Sequence, residues 1–213
     1  REIIADSIEA VVFGESLDGL LAVGACDKNM PGIMMAMGRL NVPSIFVYGG
    51  AILPGNHNGE DINVQDMFEA VGKYSRGDMS LKELIEMEKV ACPGEGACSG
   101  MFTANTMASA IEAMGMAIPG ASSIPAVDPR NEEVAFKSGE YLLELLKNDI
   151  KPRDIMTKKA FENAITTVLA MGGSTNAVLH LLAMAHESEV DLDIEDFNTL
   201  SDKTPYITDL RPG

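Results

Sequence analysis

Residues 17–49, LDGLLAVGACDKNMPGIMMAMGRLNVPSIFVYG, decide the fold of this chain. The apolar run LDGLLAVGA at 17–25 suits a buried strand, and CDKNMPG follows it at once. Pro31 then falls in the first turn of a predicted helix, MPGIMMAMGRL, where its missing N–H leaves no bond unmade. PSIFVYG at 43–49 reads as a second buried strand, rich in β-branched and aromatic residues. Strand, loop, helix, strand is the order of a parallel α/β unit. Sites in such sheets collect beyond the carboxyl ends of strands, and Cys26, Asp27 and Lys28 occupy that location. The expected fold class is α/β, a three-layer arrangement with a mostly parallel sheet flanked by helices.

Upstream, residues 2–13 carry apolar side chains at helical spacing, with Ile4, Ile8 and Val11 on one face. Downstream, GGAILPGNHNGED at 49–61 reads as a loop dense in Gly, Pro and Asn. Helices are predicted over 63–74 and 81–90, the second with Ser80 as N-cap and Glu83 at the capping-box position. ACPGEGACSG at 91–100 breaks regular structure, and a small-residue helix is predicted over 101–114. A Pro-rich loop fills 115–129, helices cover 131–147 and 157–170, MGGSTN interrupts, and a helix resumes at 177–187 before an acidic tail. The loops 50–62 and 91–100 have the fewest apolar anchors. No repeat or linker divides the chain.

The 213 residues are 46% hydrophobic and 23% charged, a globular composition that excludes wholesale disorder. A chain of this length buries roughly 70% of its unfolded surface, enough for a core without staples. Sixteen Lys and Arg against 32 Asp and Glu leave a net charge of −16. That field repels nucleic-acid backbones and anionic membrane surfaces, so neither is an expected partner. Small anionic substrates stay compatible where a metal or a helix terminus reverses the local sign. Three cysteines make no disulfide framework, no secretory signal is recognisable, and no apolar run reaches membrane-span length. A reducing, cytoplasmic compartment is the expectation. The start Arg1-Glu2-Ile3-Ile4 and the end Leu210-Arg211-Pro212-Gly213 read as cuts from a longer chain. The 14 Met read as gap-filling core, with Met34, Met35 and Met37 as examples.

Several short stretches carry chemistry-bearing residues. Cys26-Asp27-Lys28 sets a thiol, a carboxylate and an amine side by side; a thiolate suits a soft metal and a carboxylate suits Mg²⁺. The bland reading is a packed Cys beside an exposed ion pair. Cys92 and Cys98 lie six residues apart in ACPGEGAC, which is not the C-x-x-C spacing of zinc knuckles or ferredoxins. Any cluster must therefore be assembled by folding. Gly94, Gly96 and Gly100 free the backbone there for close approach to a ligand. Gly173-Ser174-Thr175 precedes a helix, where N–H groups and hydroxyls could hold a carboxylate or phosphate of a substrate. No Lys follows to make a P-loop, and an ordinary N-cap is the rival reading. His180, inside that helix, reads as a satisfied core histidine; His57 and His186 read as solvated.

Taken together, GACDKNMPGIMMAMGRLNVPSIFVYGG, ACPGEGACSGMFTANTMASAIEAMGMAIPGASS and MGGSTNAVLHLLAMA resemble the dihydroxy-acid dehydratases, a family that also holds the sugar-acid dehydratases. The opening REIIADSIE fits too, and the resemblance covers nearly the whole chain. It implies that Cys26 and Cys98 bind an iron–sulfur cluster, [2Fe–2S] rather than [4Fe–4S], while the position of Cys92 is not a ligand. It implies that Asp27 binds Mg²⁺ and that Lys28, carbamylated by CO₂, binds the same ion. The reaction implied is removal of water from a 2,3-dihydroxy carboxylate to give a 2-oxo acid. In the biosynthetic members the substrates are 2,3-dihydroxy-3-methylbutanoate and its methylpentanoate homologue, precursors of valine and isoleucine.

The resemblance also implies parts outside these residues. The family places a third cluster cysteine and an acidic Mg²⁺ ligand upstream, and a further Glu ligand and a serine base in a β-rich C-terminal domain. Residues 1–213 therefore read as part of an N-terminal catalytic domain, inactive alone, with a homodimer implied for the whole enzyme and no catalytic base of its own. A sugar-acid dehydratase acting on gluconate, phosphogluconate or a pentonate is the same-fold alternative, disfavoured by ACPGEGACSGMFTAN. A non-catalytic iron–sulfur module would want four protein thiolates, and three are present. A metal-free structural domain is the remaining alternative.

Overall fold

The computed structural model describes residues 1–211; the expected cut at Pro212 and Gly213 lies outside them. The chain runs α1 (Glu2–Gly14), β1 (Leu20–Gly24), α2 (Asn29–Leu40), β2 (Ser44–Tyr48), β3 (Gly55–His57), β4 (Glu60–Ile62), α3 (Val64–Ser75) and α4 (Leu81–Glu88). It continues through α5 (Thr103–Met114), α6 (Arg130–Lys147), α7 (Pro152–Ile155), α8 (Lys158–Met171), α9 (Asn176–Glu187) and α10 (Ile194–Ser201). Strands β1 and β2 pair in parallel, Leu20 opposite Ser44 and Gly24 opposite Tyr48. Helix α2 is the crossover between them. With α2 on one face and α6 on the other, the expected α/β layering is present around a two-stranded parallel sheet.

Helix α2 is the core of the molecule. Met30, Met34, Ala36 and Met37 have no exposed surface, because α1, α5 and α9 surround the helix with the sheet. Fully burying side chains of this size contributes about 1.5–3 kcal/mol each, and unbranched Met fills the gaps between helices that meet at different angles. The methionine reading therefore holds. The helix ends at Asn41, whose φ of 49° is left-handed, a conformation Asn tolerates and a continuing helix does not.

Two readings of buried faces need correction. In α1 the buried residues are Ala5 and Val12, with Ile8 packed beside them, while Val11 is 59% exposed. The buried stripe passes through the smaller Ala5, which lets α1 lie close to α2. Strand β1 is half-buried rather than buried: Leu20 and Ala22 face the core, but Leu21 and Val23 point to the other face and are exposed. Helix α6 leans over β2, where Val47 joins Ala121, Ile124 and Val134 in a second small core, and leaves the outer side chains of β1 uncovered. Strand β2 is buried throughout, as expected.

The loop predicted at 49–61 contains a hairpin. Strands β3 and β4 pair antiparallel across Asn58 and Gly59, whose φ values of 54° and 90° give the left-handed two-residue turn that Asn-Gly favours. The acidic tail contains α10, capped by Asp193, which accepts from the N–H groups of Glu195 and Asp196. The Ser80 cap holds, accepting from the N–H of Glu83 at 3.2 Å. The Gly-rich segments are tied to each other: Ile52 N–H donates to Ala97 O at 2.7 Å and Ala97 N–H to Gly50 O at 2.9 Å. A Cβ on Gly96 would lie 2.4 Å from the backbone nitrogen of Ile52, and its φ is 131°. That glycine is required by the close packing of the two segments.

Candidate functional site

The site is built where β1 ends. Cys26 follows the strand, and its N–H donates to Asn29 Oδ1 at 2.9 Å, which folds residues 26–29 into a turn leading directly into α2. Cys26 is exposed and Asp27 is half-buried. Asp27 uses both oxygens: Oδ2 accepts from Lys28 Nζ at 2.5 Å and Oδ1 lies 2.9 Å from His180 Nε2. Its partial burial disfavours the charged form, but the hydrogen bonds and charges of Lys28 and His180 outweigh that and hold its carboxyl below the usual range.

His180 is the residue whose role the sequence concealed. It is buried in α9, as a core histidine should be, but both ring nitrogens are engaged, Nε2 with Asp27 and Nδ1 with Arg1 Nη1 at 3.1 Å. Burial lowers its pKa against the opposing pull of Asp27. The two partners are 153 residues apart in sequence, and no local spacing announces such a pair.

The second wall comes from the segment 91–100. Tyr48, at the end of β2, donates its hydroxyl to Asn105 Oδ1 at 2.6 Å. Asn105 Nδ2 donates to the carbonyls of Cys98 at 2.7 Å and Gly100 at 2.6 Å. The parallel sheet thus sets the Cys98 loop beside the Cys26 turn. Burial raises the Cys98 thiol, and Cys26, Cys92 and Asp27 are close enough to raise it further. Burial also raises Tyr48, with Cys98 and Cys26 adding to the effect. Folding therefore gathers Cys26, Cys98, Asp27 and Lys28 into one neighbourhood, and Cys92 is near enough to act on Cys98 as well. All three thiols are free and exposed.

A cleft of about 690 Å³ opens against this loop, lined by Ser99, Gly100, Asn105, Glu112 and Arg211 among others. A second, of about 380 Å³, lies between Met101–Thr103 and the Gly172–Thr175 loop, and Met101 lines both. In that second loop the N–H of Gly173 donates to Val168 O at 2.9 Å, and the N–H of Ser174 donates to Thr106 Oγ1 at 3.0 Å. Ser174 Oγ pairs with Thr103 Oγ1 at 2.9 Å. Internal bonds thus claim more of this loop than its composition suggests, and Gly172 and Thr175 are its exposed members.

The donors fit part of a metal shell. Among the described residues no three His, Cys, Asp or Glu side chains converge tightly enough to hold a metal ion. Two neighbouring thiols suit part of a thiolate-ligated cluster, and a carboxylate next to an amine suits a hard cation once that amine becomes an anion.

The structure sets two thiols and a carboxylate at the carboxyl end of a parallel α/β unit, where sites in such sheets collect. The chain belongs to the family described as dihydroxy-acid/6-phosphogluconate dehydratase N-terminal, which matches residues 1–213. It is 58% identical to the dihydroxy-acid dehydratase of Synechococcus sp. (strain JA-2-3B'a(2-13)) across 100% of this chain and 38% of that protein. It is 57% identical to dihydroxy-acid dehydratase 2 of Staphylococcus saprophyticus and 54% identical to dihydroxy-acid dehydratase of Nitrosospira multiformis, each across 100% of this chain and 38% of the relative. The chain thus spans somewhat over a third of the length of these curated relatives. No helix among the described residues is long and apolar enough to cross a membrane.

Proposed function

We propose that this chain is the metal-bearing part of a hydro-lyase that converts 2,3-dihydroxy carboxylic acids to 2-oxo acids. Its substrates would be 2,3-dihydroxy-3-methylbutanoate and the methylpentanoate homologue, on the way to valine and isoleucine. The observation that carries the reading is the turn after β1, where Cys26, Asp27 and Lys28 stand beside Cys98 in a chain this similar to named dihydroxy-acid dehydratases.

In this reading Cys26 and Cys98 hold an iron–sulfur cluster, [2Fe–2S] in preference to [4Fe–4S], and Asp27 and carbamylated Lys28 hold Mg²⁺. When bound, the two groups supply Lewis acidity at the departing 3-hydroxyl and at the carboxylate and 2-hydroxyl. Lys28 prepares its own role: its neutral nitrogen adds to CO₂ and loses a proton, so a cation beside Asp27 becomes an oxygen anion. Tyr48 and Asn105 hold the Cys98 loop in place, while in the Gly173–Thr175 loop, where internal bonds occupy Gly173 and Ser174, Thr175 is the residue left to meet an anionic group of the substrate. The base that takes the C2 proton belongs to other parts of the protein, as does the rest of each metal shell. The working form would be a cytoplasmic homodimer.

The test is 2-oxo-acid formation by the full-length protein that carries these residues, with bicarbonate present or stripped. Lys28→Arg keeps the charge but forms no carbamate, so it should be inactive, and stripping bicarbonate should depress the wild type. A fully active Lys28→Arg enzyme contradicts the reading. Because the family description also covers 6-phosphogluconate dehydratase, sugar acids form the second arm, and faster turnover of gluconate or phosphogluconate would move the substrate assignment there.

A further inference from the structure

We propose that His180 is a positioning residue for Asp27: it pins Oδ1 of the carboxylate and so leaves Oδ2 oriented for a divalent cation. The proposal rests on the reading of Asp27 and Lys28 as Mg²⁺ ligands. His180 is 2% exposed, whereas Asp27, at the outer end of a turn, has a side chain 33% exposed. A buried imidazole needs partners for both nitrogens, and here chemistry leaves one arrangement. The Arg1 guanidinium can only donate, so Nδ1 accepts from it at 3.1 Å. An ionised carboxylate can only accept, so Nε2 donates to Asp27 Oδ1 at 2.9 Å. Arg1 itself is anchored by donating to Leu179 O at 2.8 Å.

The chain of bonds therefore runs from the backbone of α9 through Arg1 and His180 to one oxygen of Asp27, and fixes both the tautomer and the carboxylate rotation. A ligand carboxylate on a turn otherwise loses rotamer freedom when it meets a cation. Fixing it beforehand removes that cost, and the hydrogen-bond partners of ligating carboxylates typically contribute 10–100-fold to metal affinity. The side chain that would bear on the cation most directly is Lys28, on Oδ2 at 2.5 Å; His180 acts from the opposite oxygen.

The experiment titrates Mn²⁺ into the full-length protein in bicarbonate buffer and reads bound metal by electron paramagnetic resonance, with thermal midpoints alongside. Asp27→Asn is the control for the metal reading. His180→Leu should weaken Mn²⁺ binding by roughly 10–100-fold. His180→Gln, which keeps a donor toward Asp27 and an acceptor toward Arg1, should regain most of it. Arg1→Met, which frees the tautomer without changing a residue of α9, should weaken binding several-fold and serves if His180→Leu does not fold. Wild-type affinity in folded His180→Leu or in Arg1→Met overturns the proposal, as does equal loss in the Leu and Gln variants. No Mn²⁺ binding by wild type, or wild-type binding by Asp27→Asn, overturns the metal reading itself and the positioning role with it.

Discussion

Helices α2 and α9 are tied together by polar side chains at both ends, and the two ties leave different things over. At the far end Arg39 makes a two-pronged bond to Glu187 at 2.7 and 2.9 Å and reaches Asp6 at 2.6 Å and Glu9 at 3.3 Å. Hydrogen bonds from Glu187 and then Asp6 hold the guanidinium well above its usual pKa, and Arg39 in turn holds Glu187 below the carboxylate range. One cation and three carboxylates consume one another there. At the near end Asp27 meets His180 and Lys28, but Cys26 and Cys98 stand exposed beside them. The clasp spends its polar groups on the fold, whereas the turn after β1 spends one buried histidine to hold groups that stay open to outside chemistry.

That contrast can be broken from the clasp side. Arg39→Met leaves Asp6, Glu9 and Glu187 facing each other without a cation. Removing the cation from this partly exposed network costs about 1–2 kcal/mol once solvent screening is counted, roughly 2–4 °C in unfolding midpoint per kcal/mol for a unit of this size. Thermal unfolding of the full-length protein measures it, and thiol-reagent rates at Cys26 and Cys98 should stay unchanged. Altered thiol rates would mean that the two ends are one coupled device.

Acid should act on the clasp next. Glu187 has a folded pKa below its reference value of 4.5, so its stabilising effect is present above about pH 4.5 and is lost as pH falls through the folded value. The unfolding midpoint should drop on acidification in that window, and less steeply in Glu187→Gln. An unchanged acid slope in that variant would assign the loss to other carboxylates. The smallest effect belongs to the thiols. In protein stripped of iron and sulfide, Cys26→Ser and Cys98→Ser alter only exposed side chains and should change stability by no more than about 0.5 kcal/mol. A larger loss would make them packing residues and would erase the contrast.

The parallel unit was legible because its signals are local. Apolar runs of strand length flank a Met-rich helix, and the turn after the first strand falls at residues 26–28. The hairpin carried its own signal in Asn58-Gly59, hidden by the Gly, Pro and Asn around it. Helix α10 announces itself only through Asp193, because its face is short and its tail acidic. The exposure of Leu21 and Val23 depends on where α6 settles, which no local pattern records. The family motifs pointed to Cys26, Asp27, Lys28 and Cys98. The residues that hold them, His180, Arg1, Tyr48 and Asn105, come from other elements and meet their partners only through tertiary contact. The Gly173–Thr175 loop looked open in composition because the hydroxyls of Thr103 and Thr106 that close it lie about 70 residues upstream.

In the proposed site Cys26 and Cys98 serve one cluster and Cys92 does not. Iron and sulfide content, with visible absorption, of the anaerobically purified full-length protein and its three Cys→Ser variants tests it most directly. Cys26→Ser and Cys98→Ser should each lose the iron–sulfur absorption while Cys92→Ser keeps it at wild-type iron content. Loss of the cluster in folded Cys92→Ser, or its retention in Cys26→Ser or Cys98→Ser, would overturn that assignment of ligands.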